Sequence, residues 1–480
     1  MESLTTFDWA SVSTEAVLVL FSAAVLALSV LISKRAERLV SLTAMAGFIA
    51  ALAVEVCFGS GAASFGGMLG ASSNFGLFVL ACSLLTALMS FSYFSKGEKG
   101  RSEFIAILMI CAAALMLFVR SENLMFSFVS LECATICLYG MAAWSRGRAS
   151  SIEGAAKYVV AGGVSGAMFL MGTALIYGAS LSTGRPLLEF SNFSHGLINP
   201  MFVAGLVLVC GGVLFKISAF PFQFWSPDVY QGSPTPVSAF FAVASKGAGI
   251  VFLGKICMSL DFASMGLAAA QDKAVLAVSA IAAMTIIVGN LGGITQTNVK
   301  RLLAFSGIAN AGYMLVLVAA VLKYSGAGQF FEPAVYFYLA AYMFANYGLF
   351  FVVNGFKGSD DYDQSMSDYR GLVRKSPVMA STLIINLSSL AGIPPTAGFF
   401  GKVLVIILAW YAQMYWLIAV MLAGSAVSIY YYFSWMRATL DIADGGEREI
   451  GDNVALAPTM VALSAATLLF GFSILYFIGL

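Results

Sequence analysis

The sequence predicts an all-α polytopic membrane protein with about fourteen transmembrane helices. Three observations carry that expectation. The 480 residues are 60% hydrophobic and only 10% charged, with a mean hydropathy of +0.90, whereas soluble domains carry about 25% charged residues. Apolar stretches of about 20 residues, enough to cross a bilayer, recur along the whole chain. The loops between them alternate in positive charge, as membrane topology requires. Even hydropathy argues for one integral unit. A net charge of +1 leaves no basic field for nucleic acid.

Met1 to Thr14 contain no Lys or Arg and do not read as a cleavable signal. The first span is expected near 14–32. Others follow near 39–59, 73–94, 102–119, 123–144, 154–178, 200–220, 236–257, 274–290, 301–322, 333–354, 377–408, 416–436 and 455–478. The seventh and twelfth are the least regular. One alternating set of loops carries Lys34, Arg35, Arg38, Lys96, Lys99, Arg101, Arg146, Arg148, Lys300, Arg301, Lys357, Arg370, Arg374, Lys375, Arg437 and Arg448. The opposite set carries only Arg120, Arg185, Lys273 and Lys323. The positive-inside rule puts the first set in the cytoplasm and both termini on the other side.

The seventh span is expected to break at Pro221, which lacks a backbone donor and restricts its predecessor. Pro227, Pro234 and Pro236 punctuate the approach to the eighth. The twelfth is expected to break at Ile393-Pro394-Pro395. Unwound backbone survives at membrane depth only inside protein or along a cavity. The breaks lie five spans apart, and an odd repeat inverts in the membrane. Broken helices at corresponding positions point to inverted repeats around a central path. Two packing kinks are the plainer alternative.

Charged groups inside apolar segments are the sharpest functional signal, because a membrane protein keeps them facing its own interior or water. Lys216 precedes the first break, Lys246 lies among Ser245, Gly247, Ala248 and Gly249, and Lys402 follows the second break. Glu132 is a lone carboxylate well inside the fifth span, with Lys216 its candidate partner. Lysine can switch between charged and neutral forms where arginine cannot, which favours a proton relay. A fixed Glu–Lys salt bridge that orients helices is the alternative. Lys255 is expected to snorkel from its helix end. Lys157, four residues after Glu153, reads either as a solvated salt bridge or as a further relay member. Glu15 and Glu55 are weaker candidates.

Other chemistry finds little support. The single histidine, His195, reads as a surface residue. Seven cysteines give no disulfide framework, and Cys133 and Cys137 have no matching second pair for a metal or cluster. No phosphate loop or dinucleotide fingerprint is present. Gly162-Gly163 and Gly211-Gly212 read as helix-packing positions.

Long strings within the chain resemble a known family. The stretch from Phe215-Lys216-Ile217-Ser218-Ala219-Phe220-Pro221 through Trp225-Ser226-Pro227-Asp228 to Pro236-Val237 resembles the hallmark of the subunit N family of bacterial respiratory complex I, NADH-quinone oxidoreductase. The mitochondrial counterpart is subunit 2. Gln296 to Tyr313 and Ser389 to Lys402 resemble two further motifs.

The resemblance implies an antiporter-like fold with two inverted five-helix repeats and broken helices 7 and 12. It divides the chain into N-terminal helices (1–101), a first repeat (102–258), a second (273–437) and a last helix (438–480). It assigns Glu132 and Lys216 as a pair, Lys246 as the connecting lysine and Lys402 as the titratable lysine of the second break. It implies other membrane-arm subunits as partners, a bacterial inner membrane, and a non-redox part in quinone-reducing, proton-translocating catalysis. NADH, FMN, iron–sulfur clusters and quinone are expected in the assembled complex, and none in this chain.

Gln223 and Asn310 stand where the family commonly has histidine, so a histidine-dependent step at either place is in doubt. A subunit of a multi-part Na⁺/H⁺ antiporter and a purely structural membrane spacer are the competing functions.

Overall fold

The computed structural model describes residues 9–31, 37–58, 65–71, 74–94, 100–145, 147–324, 328–356, 361–441 and 456–477. Lys34, Arg35, Lys96, Lys99, Arg146, Lys357 and Arg448 of the charge pattern lie outside these residues. Among the described residues β structure is confined to isolated bridges.

The long helices are α1 (Ser13–Leu31), α2 (Glu37–Phe58), α3 (Asn74–Tyr93), α4 (Arg101–Arg120), α5 (Leu124–Ala142) and α6 (Ala149–Thr183). Then come α7 (Pro200–Lys216), a short α8 (Trp225–Gly232) and α9 (Thr235–Met258). The second half holds α10 (Ala268–Ile294), α11 (Val299–Lys323), α12 (Gly328–Asn354), α13 (Pro377–Ala391), α14 (Ala397–Tyr411) and α15 (Tyr415–Leu440). The last is α16 (Ala457–Phe477). Eleven helices among the described residues are long and apolar enough to cross a membrane, and four shorter apolar ones, α7, α13, α14 and the start of α16, accompany them. The chain is a multi-pass membrane protein.

Local chemistry sets several starts. Asn123, Asn199 and Asn298 accept hydrogen bonds from the first free amides of α5, α7 and α11, the usual work of an N-cap. Pro200 and Pro377 occupy first-turn positions of α7 and α13, where no donor is lost. Gly172 and Gly205 let α6 and α7 meet backbone to backbone: a Cβ on either would come within 2.6 Å of the other's carbonyl. Small residues give membrane helices this close approach.

Both breaks fall where the sequence puts them. The first helix ends at Lys216, and the chain turns through Ser218 (φ 59) and a cis Phe220–Pro221 bond. Trp225–Gly232 then forms a short helix that span-scale hydropathy did not resolve, with Pro227 harmless in its first turn. The second break runs from Gly392 to Thr396, with a cis Pro394–Pro395 bond. Gly392 (φ +83) takes the left-handed conformation that ends α13, and its amide bonds the Ser388 and Ser389 carbonyls.

Two helices form the centre. The spanning windows of α9 and α11 are each 94% buried, against 28% for α1 and α6. A helix apolar around its whole circumference belongs inside. α11 packs against α8, α9, α10, α12 and α14. The lysine of α9 and the lysine of α14 therefore face a shared interior.

Candidate functional site

Three lysines lie in that interior. Lys216, Lys246 and Lys402 are 3%, 1% and 6% exposed. Buried ammonium groups are costly unless paired or solvated. Yet among the described residues no Asp or Glu forms an ion pair with any of them. Each amine instead lies beside a tyrosine ring: Lys216 5.6 Å from the centre of Tyr158, at its hydroxyl end, Lys246 5.3 Å from that of Tyr230, and Lys402 5.0 Å from that of Tyr313. The ring face attracts a cation by about 2 kcal/mol when desolvated. It also tolerates the neutral amine, which a carboxylate partner would oppose by holding the proton in place.

Lys216 is the last residue of α7, beside the free carbonyls of a helix C-terminus that favour positive charge. Its Nζ donates to Thr135 Oγ1 at 2.8 Å and to the Tyr158 hydroxyl at 3.1 Å. Tyr158 is fixed by stacking on Trp225 (4.6 Å), whose indole nitrogen donates to the Phe215 carbonyl at 3.0 Å. Glu132 does not pair directly with this amine. It sits three residues before Thr135 on α5, half-exposed, with Oε1 turned toward Gly166 of α6. The residue one turn on faces the lysine instead.

Lys246 follows a π-helical turn, Phe241–Ser245, within α9. Such bulges re-aim side chains and recur at functional sites. Its Nζ has no hydrogen-bond partner among the described residues. Lys402 reaches back across the second break. Its Nζ donates to the Leu390 and Ala391 carbonyls at 2.9 and 3.0 Å, two of the acceptors that the end of α13 leaves free. Gly392 makes room: a Cβ there would lie 3.0 Å from Lys402 Cδ and 3.2 Å from Nζ. Beside Lys402 is a cavity of about 10 Å³, walled by Asn310, Tyr338, Tyr342 and Ser389 among others. That is about the room one water needs. Amines that can lose a proton, tyrosine hydroxyls and space for water make an arrangement able to pass protons.

A family model described as NADH:quinone oxidoreductase/Mrp antiporter, transmembrane region, matches residues 121–428, which include all these groups. The chain belongs to this family. NADH-quinone oxidoreductase subunit N 1 of Opitutus terrae is 39% identical over 375 residues, covering 75% of this chain and 72% of that protein. A chain in the respiratory complex I of Thermus thermophilus superposes with a TM-score of 0.77 at 30% identity, covering 95% of this chain and 96% of that one. A chain of the Mrp complex from Dietzia sp. shares the fold, with a TM-score of 0.76 at 20% identity over 96% of this chain and 94% of that one.

The two histidine departures from the antiporter family pattern have different outcomes. Asn310 is engaged at both ends: its amide donates to the Ser306 carbonyl at 2.8 Å, and its Oδ1 accepts from Tyr338 at 2.7 Å. Gln223 Oε1 is buried with no partner among the described residues. The weaker candidates all have partners. Lys157 pairs with Glu153 at 2.8 Å and Asp228 at 2.7 Å while 46% exposed. Lys255 pairs with Glu122 at 2.8 Å. Glu15 pairs with Arg120 at 2.7 Å, and Glu55 accepts from Thr14 at 2.7 Å. His195 is exposed. Among the described residues no three His, Cys, Asp or Glu side chains gather as a metal site.

Sequence reasoning missed the tyrosines, because an aromatic in an apolar span reads as packing. It also missed a charged knot between the two halves. Lys300, counted as a loop charge, has a fully shielded side chain and pairs with Asp361 at 2.7 Å. Arg148 also bonds Asp361, and Thr235 at the start of α9 donates to it through N and Oγ1 at 3.1 and 2.8 Å. Burial pushes the Asp361 carboxyl up, but Lys300 and Arg148 outweigh it and hold it below the usual range. Asp228 is likewise held low: burial opposes its charge, while Lys157 and Arg301 win.

Proposed function

We propose that this chain is the proton-translocating, antiporter-like subunit in the membrane arm of a quinone-reducing respiratory complex. The observation that carries the reading is the set of three interior lysines, each beside a tyrosine and none, among the described residues, in an ion pair with an acid. A structural spacer gains nothing from unpaired buried amines, whereas a relay needs amines that are not locked in one protonation state. The 39% identity to a subunit N and the 30% identity to a complex I chain support the first half of the family's description over the Mrp half.

Protonation of Lys216 passes to Lys246 and then Lys402, with water and hydroxyl groups joining them. Glu132 biases Lys216 by its charge. Exit lies near Lys402, on the side opposite the arginine- and lysine-rich loops, which are cytoplasmic in a bacterial inner membrane. Both termini are then periplasmic. The helices of 102–258 and 273–437 form two inverted repeats, each with its fourth crossing broken. Counting each broken helix once gives fourteen crossings. The partners are other membrane-arm subunits. NADH, FMN, iron–sulfur clusters and quinone belong to the rest of the assembly, so this subunit contributes to the oxidoreductase without a redox site of its own.

The test is Lys216→Met in the assembled complex, with proton pumping read against electron transfer. Assembly with impaired coupled pumping is expected. Normal pumping in a fully assembled variant overturns the reading.

A further inference from the structure

We infer that the Tyr342 hydroxyl is the relay between Lys246 and Lys402, and that Gly307 exists to let the lysine and the tyrosine meet. The inference rests on the proton-carrying reading above and names a group in its least defined stretch. Three independent observations converge on it. Lys246 Nζ and Tyr342 OH are both buried polar atoms with no hydrogen-bond partner among the described residues. Both press against the same residue of α11: a Cβ on Gly307 would lie 2.9 Å from Lys246 Nζ and 3.0 Å from Tyr342 OH. Tyr342 also walls the cavity that contains Lys402.

The shared contact at Gly307 fixes the spacing on one side. Two groups that both touch one Cβ position are separated by no more than one bridging water. Any side chain at position 307 would occupy that junction. On the other side the cavity holds about one water. The Lys402 ammonium has three protons, and two are directed at the Leu390 and Ala391 carbonyls. One remains to face the cavity.

The other polar groups on the cavity wall are engaged in bonds of their own. Tyr338, on the same wall, donates its proton to Asn310 Oδ1 at 2.7 Å. Asn310 spends its amide on the Ser306 carbonyl. Tyr342 has Asn346, Tyr432 and Tyr230 as polar neighbours; Tyr432 is bonded to Ser306 at 2.5 Å and Asn346 sends one N–H to the Tyr342 carbonyl at 2.9 Å, while Asn346 Oδ1 and the Tyr230 hydroxyl have no partner among the described residues but do not wall the cavity. Of the polar groups that wall the cavity, the Tyr342 hydroxyl alone has no hydrogen-bond partner among the described residues.

A phenol is donor and acceptor at once. A proton leaving the Lys246 ammonium arrives on a Tyr342 lone pair, directly or through one water. The hydroxyl's own proton leaves to the cavity water, which gives one of its protons to neutral Lys402. One proton has moved, Lys246 is a neutral amine, Lys402 is an ammonium, and Tyr342 is again neutral. Rotation of its O–H bond resets the step.

Tyr342→Phe keeps the ring and removes the hydroxyl. Gly307→Ala keeps the hydroxyl and fills the junction. Each is made in the complete complex, beside Lys246→Met and the double variant Tyr342→Phe/Lys246→Met, and coupled proton pumping is measured. Both single changes are expected to lower pumping at least about twofold. The double variant is expected to be no worse than Lys246→Met, since groups in series do not add. Pumping that survives Tyr342→Phe but falls in Lys246→Met overturns the relay and leaves the general reading standing. Pumping that survives Lys246→Met overturns the general reading. A further loss in the double variant assigns Tyr342 a packing role and overturns the relay. Failure of both Tyr342→Phe and Gly307→Ala to assemble does the same.

Discussion

Lys216 donates a hydrogen bond to the Tyr158 hydroxyl at 3.1 Å while its ammonium lies 5.6 Å from the centre of that same ring. The two distances set the amine beyond the hydroxyl end of the ring, so Tyr158 serves the lysine chiefly as an acceptor. Neither contact demands that the amine stay charged, because a neutral amine keeps both neighbours. At Lys246 and Lys402 too, tyrosine rings take the place of carboxylates.

Tyr158→Phe separates the two contacts. The ring remains on Trp225, and the hydroxyl is lost. Stability of the purified complex is expected to fall by about 1 kcal/mol, the net worth of one hydrogen bond. Coupled pumping is expected to fall further than that loss explains, because Lys216 then has only Thr135 as a hydroxyl partner. Thermal unfolding and pumping rate, measured on one preparation, check both expectations.

Gly392→Ala tests how the second break serves Lys402. The backbone there is left-handed (φ +83), and the new methyl would press on the lysine stem at 3.0 Å. Alanine at such a position destabilises by about 1 kcal/mol or more. Pumping is expected to drop while the rest of the fold assembles. An alanine variant with full stability and full pumping would show that the amine does not need its present seat.

The knot around Asp361 yields a pH prediction. Its carboxyl is held below the ordinary range in the folded chain. The stabilisation it supplies is therefore complete above the ordinary aspartate pKa of about 4 and is lost as pH falls through the lowered folded value. Asp361→Asn would strand Lys300, whose side chain is fully shielded, at a cost of about 3 kcal/mol. Unfolding midpoints of the native complex and the Asp361→Asn variant should differ by a constant amount near neutral pH and converge below about pH 4.

Much of this molecule was legible as hydropathy. A run such as Leu124–Ala142 has no other stable home than a helix across lipid, and prolines at 221, 394 and 395 lie within the two breaks. The interior lysines stood out because charge inside an apolar run is rare. Three things lay beyond that signal. Tyr158, Tyr230 and Tyr313 look like any aromatic in a span until three-dimensional packing places a lysine beside each ring. Lys300 is next to Arg301 and opens a helix, so it reads as a loop charge, and only the return of the chain at residue 361 buries it. Glu132 makes no direct ion pair with Lys216, and Thr135, one turn on, meets the amine, since apolar periodicity does not fix which face of α5 meets α7.

The central claim is that these amines change protonation, and replacing one by a permanent cation tests it most directly. Lys402 borders a cavity, so Lys402→Arg keeps a positive charge near the α13 carbonyls but cannot give up its proton. Redox-driven proton pumping should be measured in the assembled Lys402→Arg complex. The relay account predicts loss of pumping despite intact assembly. Pumping at the native rate would show that charge alone suffices at this position, and would contradict it.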